Sequence, residues 1–141
     1  MESSLVELVW QRANGVCEYC RLPQPFDLLR FQIDHIIARK HHGADEADNL
    51  ALACFACNNH KGPNIASIDR ETGGLFQLFH PRRDRWTDHF HWEGAVLVGV
   101  SPTGRVTIDV LAINRTHRIQ LREALISEGV FPPLSSETGA R

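Results

Sequence analysis

Apolar positions along the chain change period several times, and each change marks an element. In "SSLVELVWQRANG" Leu5, Leu8 and Val9 recur at helical spacing, with Ser4 placed to cap the start and Gly15 to stop it, so the segment predicts a short N-terminal helix. "LPQPFD" carries two prolines and reads as turn. "RFQIDHII" alternates and is rich in β-branched residues, which predicts a strand. "ARKHHGADEADN" is a polar loop containing Gly43, "NLALA" a second short strand, and "CFACNNHK" a short helix ended by Gly62 and Pro63. The predicted order is strand, loop, strand, helix.

Further on, "IASIDRETGGLFQLFHP" predicts two short strands around the turn "RETGG", and "WEGAVLVGV" one more strand. "SPTGRVTIDVLAIN" fits a strand through its β-branched residues and a helix through the capping hydroxyls of Ser101 and Thr103. "RTHRIQLREALISEG" places Ile119, Leu121, Leu125 and Ile126 on one helix face, with Gly129 as the stop. The expectation is an α+β protein. Residues 1–66 form a core with its N-terminal helix, residues 67–134 an extension packed on that core as one globular unit, and residues 135–141 a frayed tail.

With 141 residues, 43% of them apolar, the chain is long enough to bury a core of its own. No apolar run approaches the ~20 residues of a membrane span, and "MESSLVELVW" lacks the basic-then-apolar layout of a secretion signal. The expected compartment is therefore the cytoplasm, where thiols stay reduced and four cysteines do not suggest two disulfides. A net charge of −2 argues against a generic basic coat for nucleic acid, while leaving room for a local basic face.

The cysteines fall as Cys17-x-x-Cys20 and Cys54-x-x-Cys57. A two-residue spacer lets both sulfurs of a pair reach one ion at ~2.3 Å, so two such pairs predict a tetrathiolate zinc site. Four unliganded buried thiols are the bland alternative. A redox pair of the thioredoxin type leaves the second CxxC without a use. The stretch between the pairs holds a whole predicted hairpin, so zinc would staple the base of something. A saturated tetrathiolate has no open position for substrate, so chemistry at such a protein needs a second site.

Between and beside the cysteines stand Asp34-His35, Asn49 and Asn58. The layout C-x-x-C, then D-H-I-I, then a glycine-bearing loop, then N-L-A-L-A-C-x-x-C-N-x-x-K resembles the HNH endonuclease family in its H-N-N variant, from Cys17 to Gly62. The resemblance implies a ββα-metal core and hydrolysis of DNA phosphodiester bonds. His35 would be the general base that takes a proton from the attacking water, a role suited to an imidazole. Asp34 and Asn58 would hold one divalent cation, magnesium or manganese, through hard oxygen ligands. Asn49 would fix the loop that orients His35, since an amide both donates and accepts. Adjacent strand residues point to opposite faces, so Asp34 and His35 share a target only if the strand breaks there.

"CNNHKG" also offers His60, the residue type of the commoner family form. Positions two apart on a helix are turned by about 200°, so Asn58 and His60 cannot both reach one ion. The family ligand directly follows the second cysteine, which selects Asn58. Arg39, Lys40, Lys61 and the cluster Arg82, Arg83, Arg85 are the candidate nucleic-acid contacts. His41 and His42 read as solvated loop residues. Trp86, Phe90 and Trp92 read as core packing, or with the interleaved arginines as a strip facing nucleic acid. The competing function is a zinc-stabilised nucleic-acid-binding module without cleavage, and a purely structural interaction domain comes third. Substrate structure, sequence specificity and the choice between monomer and homodimer stay open.

Overall fold

Two short strands carry the frame of the candidate site. In the computed structural model, which describes residues 1–134, β1 (Gln32–His35) pairs antiparallel with β2 (Leu50–Ala53), with Gln32 opposite Ala53 and His35 opposite Leu50. All four residues of β2 are buried. They reach that depth because helix α1 (Ser3–Ala13) lies against them with Val9 fully enclosed. From α1, the Arg12 guanidinium donates to the carbonyls of Ala47 and Leu50, satisfying backbone acceptors where the long loop enters β2. The helix starts earlier than its sequence suggests. Ser4 lies inside the first turn and gives its hydroxyl to the Glu2 carboxylate at 2.8 Å, so it is not the cap. The end is made by Asn14 and Gly15, both left-handed (φ 54° and 68°).

Helix α2 (Phe55–Lys61) follows β2 after a single residue, Cys54, whose Sγ accepts from the Cys57 amide. A sulfur in the capping position does for this helix what serine does elsewhere. Strand, loop, strand, helix is thus the observed order, and the mixed helix and strand architecture is α+β.

The remaining elements form two further antiparallel hairpins and two helices. β3 (Ala66–Ile68) pairs with β4 (Leu75–Gln77), as the Gly73-Gly74 turn predicts. The single strand expected over "WEGAVLVGV" is instead the bend of a hairpin: β5 (Phe90–Glu93) and β6 (Val96–Gly99) flank Gly94, whose φ of 59° reverses the chain. The ambiguous segment after it is helix α3 (Pro102–Val110). Ser101 accepts from the Gly104 amide at 2.9 Å and Pro102 sits at the first helical position, so the capping signals outweigh β-branching.

Helix α4 (Thr116–Ser127) corrects a second expectation. Its buried face carries Arg118, Arg122 and Leu125, while Leu121 and Ile126 are exposed. The inward guanidinium groups are matched to backbone acceptors: Arg122 reaches the carbonyls of Ala95 (2.8 Å) and Ile113 (3.1 Å), and Arg118 that of Leu111 (2.8 Å). Trp86 and Phe90 are buried beside Phe79, and Trp92 packs on Phe131, so these aromatics are core and not a surface strip. The indole of Trp86 donates to the Tyr19 carbonyl, which ties this later part of the chain to the cysteine region. Among the described residues no helix is long and apolar enough to cross a membrane. The tail expected to fray, residues 135–141, lies outside the described residues.

Candidate functional site

The four cysteines converge. Cys17 and Cys20 sit in a tight turn after α1, closed by hydrogen bonds from the Arg21 amide to the Cys17 carbonyl and from the Cys17 amide to the Leu22 carbonyl, and Cys54 and Cys57 flank the start of α2. All four are buried, unlinked by disulfides, and have their sulfurs within 4.8 Å of one another. The Cys20 and Cys54 sulfurs are 3.7 Å apart. Tetrahedral zinc with ~2.3 Å bonds to sulfur requires roughly this edge, so the donor set fits structural zinc. Hydrogen bonds from the neighbouring thiols hold Cys20 well below the ordinary thiol range. Arg118 donates to Cys57 Sγ at 3.0 Å from the far side. Burial disfavours the arginine's charge, yet the sulfurs of Cys57, Cys20 and Cys54 more than offset that and raise its pKa. A zinc tetrathiolate there would be doubly negative, and Arg118 is a buried cation bonded to its sulfurs.

Beyond the cysteine cluster, Ile33, Asp34, His35, Ala38, Arg39 and Asn58 line an open cleft between the end of β1 and α2. β1 stops at His35, and the loop beyond it is held by Asn49. The Asn49 Oδ1 accepts from the Ile37 amide (2.9 Å), and its Nδ2 donates to the carbonyls of Ile37 (3.0 Å) and Ala44 (2.9 Å). The side chain therefore clamps the first residues after His35 and the far limb of the loop at once. Gly43 passes so close that a Cβ would lie 1.6 Å from the Ile37 oxygen and 2.9 Å from the Asn49 amide. Only glycine lets the two limbs approach. Held this way, the loop sets Asp45 Oδ1 at 2.6 Å from His35 Nε2, with Arg39 bonded to both oxygens of the same carboxylate.

Asp34 lies deeper than His35. Its carboxylate is 3% exposed and accepts from Tyr19 Oη at 2.6 Å and Lys61 Nζ at 3.1 Å. Burial raises its pKa, and Lys61 and the tyrosine work against that rise. The same burial, with Asp34 beside it, pushes the Tyr19 hydroxyl well above its ordinary range and keeps it a donor. Asn58 gives its amide nitrogen to Gln32 Oε1, which leaves its oxygen as the end that can meet a cation. A carboxylate and an amide oxygen on one cleft fit a hard divalent cation in donor type. His60 is not among the residues that line the cleft. Its pKa is lowered by burial first and then by Arg115, Arg118 and His117.

The predicted nucleic-acid contacts divide. Arg39, Lys40, Arg83 and Arg85 are exposed, Arg39 while bonded to Asp45. Lys61 is not a surface cation: it is 1% exposed, and its ammonium bonds Asp34 and the carbonyls of His35 and Ile36. Its stem is long enough to turn inward from the end of α2, and three acceptors await it. Arg82 is likewise engaged, paired with the buried Glu18, whose other oxygen accepts from the Leu52 amide. His41 and His42 are exposed. Sequence reasoning missed Asp45, Gly43, Tyr19 and Arg118. The acid-rich "GADEADN" was the one available signal for Asp45, since a carboxylate within a loop that returns to a histidine is a natural partner for it.

Residues 17–64 match the family model described as HNH endonuclease. The chain is also 29% identical over 143 aligned positions to the Septu protein PtuA of Bacillus mycoides (strain KBAB4), an alignment covering 82% of this chain. It spans only 20% of that relative's length. No solved structure matches the chain.

Proposed function

We propose, from the match of residues 17–64 to the HNH endonuclease family, that the protein hydrolyses DNA phosphodiester bonds with His35 as general base. The observation that carries this reading is the shared cleft. His35 stands at the broken end of β1, Asp34 and Asn58 offer oxygen ligands beside it, and Asn49 clamps the loop behind it. A binding module has no need of an imidazole, a carboxylate and an amide on one cleft. His35 would take the proton of the attacking water, and Arg39 and Lys40 at the rim would meet phosphate. Asp34 and Asn58 would hold a magnesium or manganese ion, which supplies charge stabilisation at the phosphate and the leaving oxygen. Asn49 acts through the loop and is a positioning residue.

One observation favours the second reading, a zinc-stabilised nucleic-acid-binding module without cleavage. The Lys61 ammonium already neutralises Asp34 in a buried pair. Supercoiled plasmid incubated with the protein and magnesium or manganese, with EDTA controls, decides between them. Nicked or linear product that EDTA abolishes is expected. Retarded but intact plasmid would leave the binding module. In the same assay Asn58→Ala should abolish magnesium-supported cleavage with zinc content unchanged, and His60→Ala should cost only a few-fold. The reverse ranking would transfer the ligand role to His60.

A further inference from the structure

We propose that Asp45 is the positioning residue of His35, fixing which ring nitrogen is free to accept a proton; the inference rests on the reading of His35 as the general base. The Asp45 carboxylate lies 2.6 Å from Nε2. Bonds from His35 and Arg39 hold Asp45 below the ordinary carboxylate range, so it is ionised and can only accept. The proton between them therefore sits on Nε2. Nδ1 is left bare, and it is the nitrogen available to water.

The competing explanation is an exposed ion pair of little consequence, since Asp45 is 43% exposed and such pairs contribute little to stability. Three features argue for a built arrangement. Arg39 contacts the carboxylate through Nε and Nη2 at 3.0 to 3.3 Å, which orients both oxygens at once. The preceding residue, Ala44, is pinned by the Asn49 amide. The Gly43 amide bonds the Ala38 carbonyl, so the strands of the loop that carry Arg39 and Asp45 are tied together. A solvated surface pair has no such anchoring on both of its sides.

In the step this implies, a water oxygen forms a bond to phosphorus as Nδ1 takes its proton. The bond from phosphorus to the leaving oxygen breaks with its electron pair retained by that oxygen. The imidazolium that results donates its Nε2 hydrogen bond to a full negative charge, which stabilises it as it forms. An amide in place of the carboxylate keeps the size and loses both that charge and the tautomer preference.

Two measurements on the full chain test this. In ¹⁵N-detected ring spectra at alkaline pH, with the His35 signals assigned by comparison with His35→Gln, wild-type His35 is expected to be protonated on Nε2 and bare on Nδ1. Asp45→Asn should shift it toward the other tautomer. In plasmid cleavage Asp45→Asn should lower kcat roughly 10- to 100-fold. KM should hold or fall, because a negative charge beside DNA is lost, and Asp45→Glu should recover part of the rate. Wild-type His35 protonated on Nδ1, or an Asp45→Asn protein with unaltered tautomer and kcat, would overturn the proposal. The spectrum reads the pair even in a protein that cuts nothing. Absent cleavage would thus end the nuclease reading without touching this result, and an active enzyme indifferent to Asp45→Asn would do the opposite.

Discussion

Replacing His35 with alanine is expected to slow metal-dependent plasmid cleavage by roughly 10²- to 10⁴-fold, the range a general base contributes, while the melting temperature and DNA affinity stay close to wild type. The separation is expected because the backbone and side chain of this residue do different jobs. The backbone pairs with Leu50 across β1 and β2, and its carbonyl accepts from Lys61; both contacts survive the truncation. The imidazole contacts Asp45, which keeps Arg39 as a partner when the ring is gone. No buried polar group is orphaned, so the stability cost is that of a half-buried side chain. On the proposed reading DNA affinity would rest on the exposed cations, which the substitution leaves in place. A variant that cuts within a few-fold of wild type would place the base elsewhere. His41 and His42, exposed on the same loop, would then be the residues to replace.

The elements that form this cleft were legible because local chemistry and tertiary demand agree in them. The alternation in "RFQIDHII", the apolar "NLALA" and the stop at Gly62-Pro63 each specify their element without help from distant residues. Paired cysteines are equally explicit, since two CxxC motifs have few other uses. Legibility failed where a charged side chain turns inward. Lys61, Arg118 and Arg122 read as surface in any scale of residue preference, because a buried cation is normally too costly. Each is tolerated here by acceptors outside its own helix: Asp34 for Lys61, the cysteine sulfurs for Arg118, and the carbonyls of Ala95 and Ile113 for Arg122. Asp45 stays exposed and was missed for a different reason. Its partner is set by how Asn49 and Gly43 fold the loop, and no periodicity reports that.

Breaking the four-cysteine cluster, and with it the zinc its donor set fits, should have the largest effect on the protein as a whole. Cys54→Ser is expected to prevent folding or to lower the melting temperature by tens of degrees, because structural zinc contributes about 10–16 kcal/mol of apparent binding free energy against a total domain stability of only about 5–15 kcal/mol. Serine can still cap α2 in place of the Cys54 sulfur, so the loss isolates the metal from the cap. With the cluster broken, Arg118 keeps Cys57 and the Leu111 carbonyl beside it but would lose the negative charge of metal-bound thiolates, which adds to the cost. The consequences reach the cleft, since Cys54 and Cys57 anchor the first turn of the helix that carries Asn58. Arg118 separates charge from ligation. Arg118→Met should weaken zinc retention roughly 10- to 100-fold, as loss of an outer partner does, whereas Arg118→Lys keeps a cation near the sulfurs and should retain zinc better. Metal content after dialysis, chelator-driven zinc release and thermal melts of the three variants read this directly. A Cys54→Ser protein that melts with the wild type would remove zinc from the fold, and equal zinc release by the methionine and lysine variants would remove the charge of Arg118 from the account of how the metal is held.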